Sequence, residues 1–284
     1  MKQEVINIEF WRLSAAYLFV LILILLVKKR EIKREKLIVL STARMTIQLV
    51  LVGYILMYIF KNPSPWIVLL VLCFMESFAV YNIFKQLHKP LSKKLKLVIV
   101  LSMVIGSLVS LLYFNLIVIH FKPWYEPQYF IPIAGMFIGN SMIGITLGMK
   151  EMIENFATQK NLIEGALMLG AKPDAATKPI VNSAFDSAIL PTINNMVGMG
   201  IVFLPGMMTG QILAGTSPLV AIEYQIVILI GIAGSVGISS FLSLQFGYKT
   251  FFNDRFQFIP QKMEKRSKRT AKSGNNSLIL SLKS

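Results

Sequence analysis

The sequence predicts an all-α, polytopic membrane protein with about seven transmembrane helices. Hydrophobic residues make up 55% of its 284 positions and charged residues only 15%, whereas a soluble protein carries about 25% charged residues. The mean hydropathy is +0.62. The apolar residues gather into runs of about 20, the length that a helix needs to cross a bilayer. Strongly basic segments separate several of these runs, as expected for loops on one side of a membrane.

The apolar runs follow one another with short polar connections. The predicted spans are Trp11–Val27, Leu37–Phe60, Pro65–Phe84, Leu97–Phe121, Tyr129–Met149, Thr192–Ala214 and a seventh that ends near Phe246. Residues 28–36, which follow the first span, contain six basic residues in nine, whereas Glu4 and Glu9 precede it. Because basic residues concentrate on the cytoplasmic side, we expect the amino terminus outside and the carboxyl terminus in the cytoplasm.

The charge distribution accounts for the net charge of +15 without a nucleic-acid partner. Loops 28–36 and 85–96, the polar segment near 160–190 and the tail hold most of the 29 Lys and Arg residues. Three tryptophans, Trp11, Trp66 and Trp124, fall at predicted outer ends of spans, as in an aromatic belt. We therefore expect the chain to be surrounded by membrane lipid and to cross the cell membrane several times.

One transmembrane domain, residues 1–260, is expected to account for most of the chain. The remaining residues, 261–284, form a basic segment that we expect to be a disordered cytoplasmic tail. The single cysteine, Cys73, lies in an apolar run and excludes a disulfide framework or a multi-cysteine metal site.

A polar segment, residues 150–190, interrupts the apolar runs and predicts a helical elbow. Its first part has helical apolar spacing up to Gly170, a plausible helix end. Pro173 prevents simple continuation, Asp174 is placed to cap a second short helix, and Pro179 is placed to open a third. Such an elbow between spans could transmit force from a motor protein, or be an ordinary amphipathic loop.

The elbow resembles the "EAA" signature of ABC-transporter permeases. Glu164-Gly165-Ala166, Gly170 and Ile180 follow its spacing, although Asn182-Ser183 stand where the signature usually has Leu-Pro. The resemblance assigns coupling to an ATPase to eight residues: Glu164, Gly165, Ala166, Gly170, Ala171, Lys172, Pro173 and Asp174.

Polar side chains inside the apolar runs are candidates for a translocation pathway, because they are costly in a bilayer and usually face a cavity. Glu76 lies in the middle of the third span, with Arg44 as a candidate partner. The amides could equally join helices by hydrogen bonds. The candidates with side-chain oxygens are Glu76, Asn140, Asn194, Asn195, Thr209, Gln211, Glu223 and Gln225.

Pro205-Gly206 should break the predicted sixth span and free backbone carbonyls, which a membrane tolerates in a protein-lined cavity. Met207 and Met208 follow directly. Thioethers suit soft metals, yet methionine at a helix break is also a common filler. These four residues join the pathway candidates, and the sequence leaves the metal ligands unknown.

The chain is not expected to be an enzyme. It contains no GxxxxGK[ST], HExxH or GxSxG motif. Gly231, Gly234 and Gly237 lie inside an apolar span and indicate close helix packing rather than a dinucleotide turn.

Several runs together resemble the FetB-type permease family. They are GMFIGNSM (135–142), LGAKP (169–173), ILPTINN (189–195), LPGMMTGQILAG (204–215), YQI (224–226) and YKTFFNDRFQ (248–257). Asp186 departs from the basic residue that relatives tend to carry shortly before ILPT.

The resemblance implies the membrane permease subunit of an ABC transporter that exports a metal ion, iron first of all, or a metal-related solute, and so confers metal resistance. It implies a separate ATPase chain that binds ATP and Mg, no cofactor on this chain, and a permease homodimer. Two alternatives remain: a permease for a nucleotide-sugar or other organic solute, and a seven-helix membrane sensor or scaffold without transport activity.

Overall fold

The computed structural model describes residues 9–87, 91–202, 204–253 and 255–259, and these are almost entirely helical. The α-helices are α1 (Phe10–Lys29), α2 (Glu35–Lys61), α3 (Pro65–Leu87), α4 (Lys93–Tyr113), α5 (Pro127–Thr158), α6 (Lys160–Met168), α7 (Pro173–Gly198), α8 (Gly206–Leu213) and α9 (Pro218–Gly247). A π-helical segment, Phe114–Ile119, extends α4, and a 3₁₀ turn, Tyr248–Phe251, follows α9. The predicted tail, residues 261–284, lies outside the described residues.

Six of the described helices are long and apolar enough to cross a membrane. They are α1 to α5 and α9, and they confirm an all-α polytopic membrane protein. The orientation of the two termini remains a prediction from the charge distribution.

The predicted sixth span, Thr192–Ala214, is wrong. Residues in this range belong to two helices, since α7 ends at Gly198 and α8 begins at Gly206. The predicted interruption at Pro205 is present, with Pro205 as the N-cap of α8. The elbow differs in the same way: Pro179 does not open a new helix, because α7 continues through both Pro179 and Pro191. Each proline removes one helical hydrogen bond, and α7 stays continuous while it packs against both α5 and α9.

Helices α5 and α9 run parallel through the core. The hydroxyl of Ser141 lies 2.9 Å from that of Ser235. Further along both helices, a Cβ added at Gly247 would lie 2.8 Å from Cε of Met149. Since both helices run in the same direction, the segment that joins them in the sequence must cross back to the other end of the bundle.

Helix α7 makes this return, antiparallel to α5. A Cβ added at Gly144 would lie 3.2 Å from the carbonyl oxygen of Ala188, and one at Gly148 would lie 3.0 Å from that of Ala184. The four-residue step forward on α5 thus matches a four-residue step back on α7. The Gly144/Gly148 pair is therefore a close helix contact of the kind that small residues permit.

We name the two ends of this bundle by what they hold. The basic end contains the start of α4, the end of α5, α6, the start of α7 and residues 248–253 and 255–259. The open end contains the end of α7, residues 199–202 and 204–205, α8 and the start of α9. Helices α1 and α2 pack mainly on each other, and the hydroxyls of Tyr17 and Thr46 lie 2.6 Å apart.

Candidate functional site: the coupling turn and the buried polar groups

The turn between α6 and α7 is a Schellman motif. Gly170 has φ = +87°, which a residue without a Cβ adopts at little cost. Its N–H donates to the carbonyl of Leu167 at 3.0 Å, and the N–H of Ala171 donates to that of Ala166 at 3.0 Å. These are the two bonds that define this helix ending. The helix end predicted at Gly170 is therefore present.

The coupling turn, which we define as residues 164–174, projects apolar side chains away from the bundle. Met168 is 86% exposed and Leu169 is 90% exposed. One turn earlier Ile163 is buried and fixes α6 to the core. The carboxylate of Glu164 lies 3.5 Å from the ammonium of Lys160 on the same helix. The turn is thus rigid at its base and exposed at its tip.

Asp174 does not cap α7 as predicted. The helix begins at Pro173 with Lys172 as N-cap, and no side chain caps it. The carboxylate of Asp174 instead accepts a hydrogen bond from the hydroxyl of Tyr248, at 3.3 Å. This bond connects the start of α7 to the end of α9.

A carboxyl-terminal hook, residues 248–253 and 255–259, supports the coupling turn from one side. The ring of Phe156, in the last turns of α5, stacks on Phe251 at 4.5 Å and on Phe258 at 5.9 Å between centroids. The side-chain oxygen of Asn253 accepts hydrogen bonds from the backbone N–H groups of Arg255 and Gln257. Sequence reasoning missed this element, although its four phenylalanines within eight residues were a signal for a buried cluster.

Two cavities flank the coupling turn. One, of about 660 Å³, lies between the start of α4, the start of α7 and the hook, and its lining includes Lys94, Lys172, Asp174, Tyr248 and Lys249. The other, of about 740 Å³, lies between the turn and the hook, and its lining includes Glu164, Met168, Gly170, Lys172 and Arg255. The structure therefore brings the predicted coupling residues together around one projection.

Glu76 is buried on α3 and faces α4, where the hydroxyl of Ser107 donates a hydrogen bond to its Oε1. Its Oε2 has no hydrogen-bond partner among the described residues. The predicted partner Arg44 lies elsewhere, with its guanidinium 5.3 Å from the ring centroid of Phe78. The expectation of an Arg44–Glu76 pair is therefore wrong, because a serine from a neighbouring helix occupies that position.

Two amide candidates lie within the bundle and differ in their bonding. Asn140 donates to the carbonyl of Met136 on its own helix at 2.7 Å. Gln225 is buried on α9, and its Oε1 has no partner in the part of the chain that the structure describes. Gln225 thus has an acceptor free for a ligand or an ordered water.

The remaining pathway candidates lie at the open end. Asn194 and Asn195 are exposed on the last turns of α7, and Glu223 is exposed on α9. On α8, Met208 is buried, Met207 packs against the core, and the hydroxyl of Thr209 donates to the carbonyl of Pro205 at 3.0 Å. Gly206 is exposed and Gln211 half-buried. Helix α8 packs on α9, whereas Glu76 on α3 faces α4.

Metal ligation by several acidic, histidine or cysteine side chains is not seen in the described ranges, where no three such residues cluster.

Comparison with known proteins assigns a family over most of the chain. A sequence model described as "Uncharacterised protein family (UPF0014)" matches residues 10–252. The chain is 30% identical over 260 residues to the "Probable iron export permease protein FetB" of Escherichia coli (strain K12), covering 92% of this chain and 98% of the relative. It is 35% identical over 246 residues to the "Protein ALUMINUM SENSITIVE 3" of Arabidopsis thaliana, covering 86% and 88%.

A bacterial relative, the "UPF0014 membrane protein YjkA" of Bacillus subtilis (strain 168), is 32% identical over 248 residues, which cover 86% of this chain and 96% of the relative. No solved structure matches.

Proposed function

The chain belongs to the UPF0014 family of multi-pass membrane proteins, and we propose that it is the permease subunit of an ABC transporter that exports a metal ion. A separate chain would bind Mg-ATP and hydrolyse it. This chain would carry the substrate path and receive the motion of the ATPase at its coupling turn.

The coupling turn is the observation that carries the proposal. A lever between a motor and a bundle needs a rigid base and an accessible tip. The base is provided by buried Ile163, by the Schellman hydrogen bonds and by the hook. The tip is provided by Met168 and Leu169, whose exposure in a single chain suits a protein partner. An exposed loop of a membrane sensor would not need this bracing.

The metal substrate is supported by a relative's name and by side-chain chemistry. The Escherichia coli relative is named as an iron export permease. In this chain the carboxylate of Glu76, the free acceptor of Gln225 and the thioether of Met208 are the kinds of ligand that could contact a passing cation.

A homodimer is part of the proposal. One coupling turn serves one ATPase, so two permease chains would serve two. Val197 and Ile201 are 74% and 90% exposed at the open end, and this apolar surface supports a second copy as its cover.

The test is reconstitution of the permease with its ATPase in proteoliposomes, followed by ATP turnover with and without Fe²⁺. Gly170→Val places a β-branched residue at a positive φ, at a cost of about 1–2 kcal/mol, which six packed membrane helices should tolerate. We expect this variant to insert and assemble, with at least about a tenfold loss of metal-stimulated ATP turnover, because the tip is displaced. Gly170→Asn is the matched control, because asparagine accepts this conformation.

Full stimulation in Gly170→Val would contradict the coupling role. Stimulation by a nucleotide-sugar instead of Fe²⁺ would keep the coupling role and replace the substrate. If the permease assembles with the ATPase but no tested solute changes the rate of ATP turnover, the result would favour a sensor.

Glu76→Gln tests the pathway. Glutamine keeps the shape of the side chain and still accepts the Ser107 hydrogen bond, so folding and ATPase assembly should be retained. We expect metal efflux from proteoliposomes to fall by about tenfold or more, because the charge that attracts the cation is lost. Unchanged efflux would leave Glu76 with a structural role only.

A further inference from the structure

The 660 Å³ cavity at the basic end gathers three cations from three separate elements. Lys94 lies in the first turn of α4, Lys172 is the N-cap of α7, and Lys249 follows α9. All three side chains are exposed. They are brought together only by the tertiary fold, since 78 and 77 positions separate them along the chain.

The cations of this cavity are not neutralised by the described residues. Neither Lys94 nor Lys172 has an ion pair within the described ranges, and the ammonium of Lys249 lies 5.4 Å from the ring centroid of Phe246. The acidic group in the described lining is Asp174, which accepts the hydroxyl hydrogen of Tyr248. Three lysines against one aspartate leave the described lining with a net charge of +2.

The cavity lies at the ends of two helices that are long and apolar enough to cross a membrane. Lys94 stands in the first turn of one of them, and Tyr248 and Lys249 stand at the end of the other. Lipid phosphates lie at this level, where basic side chains attract them. The aromatic rings of Tyr248, Phe252 and Phe256 also line the cavity. Aromatic rings at a membrane interface commonly lie at the level of the lipid headgroups.

We propose that this cavity is a binding site for a phosphate group, held by Lys94, Lys172 and Lys249. The phosphate is that of an anionic lipid headgroup or of a small soluble phosphate ester. Because Lys172 also belongs to the coupling turn, an occupied site would join α4, α7 and the hook beside that turn. The proposal does not depend on an ATPase partner, since the charges and the cavity are present in one chain.

The test is titration of the purified full chain in dodecyl maltoside, followed by native mass spectrometry. The probes are dioleoyl phosphatidylglycerol, dioleoyl phosphatidylcholine and glycerol 3-phosphate. Loss of one lysine near an anionic headgroup should weaken binding about fivefold, which corresponds to about 1 kcal/mol. The triple variant Lys94→Gln/Lys172→Gln/Lys249→Gln should therefore bind phosphatidylglycerol at least about thirtyfold more weakly.

The matched control is Lys93→Gln/Lys150→Gln/Lys178→Gln, which removes the same charge from exposed lysines outside this cavity. We expect its affinity to stay within about twofold of the starting protein. A third variant with arginine at positions 94, 172 and 249 keeps the charge and should retain binding, which separates loss of the site from loss of folding.

Lysine-dependent binding of phosphatidylglycerol alone would assign the site to a lipid headgroup. Lysine-dependent binding of glycerol 3-phosphate as well would assign it to the phosphate group in general. Equal binding of phosphatidylglycerol by the glutamine variant and the starting protein would overturn the proposal, as would an equal loss in the control variant.

Discussion

The two ends of the bundle differ in what supports their exposed apolar side chains. At the basic end, exposed Met168 and Leu169 project from a turn beside the hook, which the aromatic cluster around Phe156 holds in place. At the open end, Val197 in the last turn of α7 is 74% exposed, and Ile201, which follows that helix, is 90% exposed. The same helix, α7, connects both ends.

This contrast separates a supported projection from an uncovered apolar surface. The basic end contains the coupling turn, which under the proposed function has to keep its shape in order to transmit force. The open end contains α8 and the polar side chains of Asn194 and Asn195, where a path for a solute could be formed between two copies. An apolar surface that is left uncovered in one chain commonly marks an interaction site.

The largest effect is expected at the basic end. Phe156→Ala would leave a cavity among the stacked rings and destabilise the fold by about 3–5 kcal/mol. Hydrogen–deuterium exchange should show the hook losing protection first, and the denaturation midpoint should fall. The control is Phe256→Ala in the hook. Phe256 is exposed, so the loss of its ring should cost less than about 0.5 kcal/mol. Equal effects of the two variants would mean that the aromatic cluster does not hold this end.

A smaller effect is expected from two glycines, Gly144 in the packed core and Gly210 on α8. A Cβ at Gly144 would lie 2.8 Å from Val236 and 2.9 Å from the hydroxyl of Ser240, whereas one at Gly210 would meet nothing within 4 Å. We expect Gly144→Ala to cost about 1–3 kcal/mol through overpacking. Gly210→Ala should be neutral or stabilise α8 by up to about 1 kcal/mol. Chemical denaturation in detergent measures both, and equal costs would contradict the difference between packed core and open end.

The smallest effect on the fold is expected at the open end itself. The double variant Val197→Ser/Ile201→Ser removes exposed apolar groups and should change the stability of one chain by no more than about 0.5 kcal/mol. If a second copy covers this surface, the same variant should weaken dimerisation by about tenfold or more. Chemical denaturation in detergent measures the stability of the chain. Analytical ultracentrifugation in detergent at several protein concentrations measures dimerisation. An unchanged dimer would place the interface elsewhere.

The sequence by itself determined the class of the protein and most of its spans. Apolar runs of bilayer length are a property of consecutive residues, so α1 to α5 and α9 could be located without any tertiary information. The helix end at Gly170 was equally local, because a positive φ favours glycine whatever lies around it. The resemblance to the FetB-type family also depends on the order of residues alone, and the family match over residues 10–252 confirms it.

The tertiary structure alone decided the features that depend on neighbours distant in the chain. Pro179 was predicted to open a new helix, yet α7 continues through it and through Pro191 while it packs against α5 and α9. Glu76 accepts a hydrogen bond from Ser107 and does not pair with the candidate Arg44, and Asp174 accepts one from Tyr248 and does not cap its helix. In each case the arrangement depends on contacts between elements that are far apart in the chain, and no pattern of consecutive residues contains those contacts.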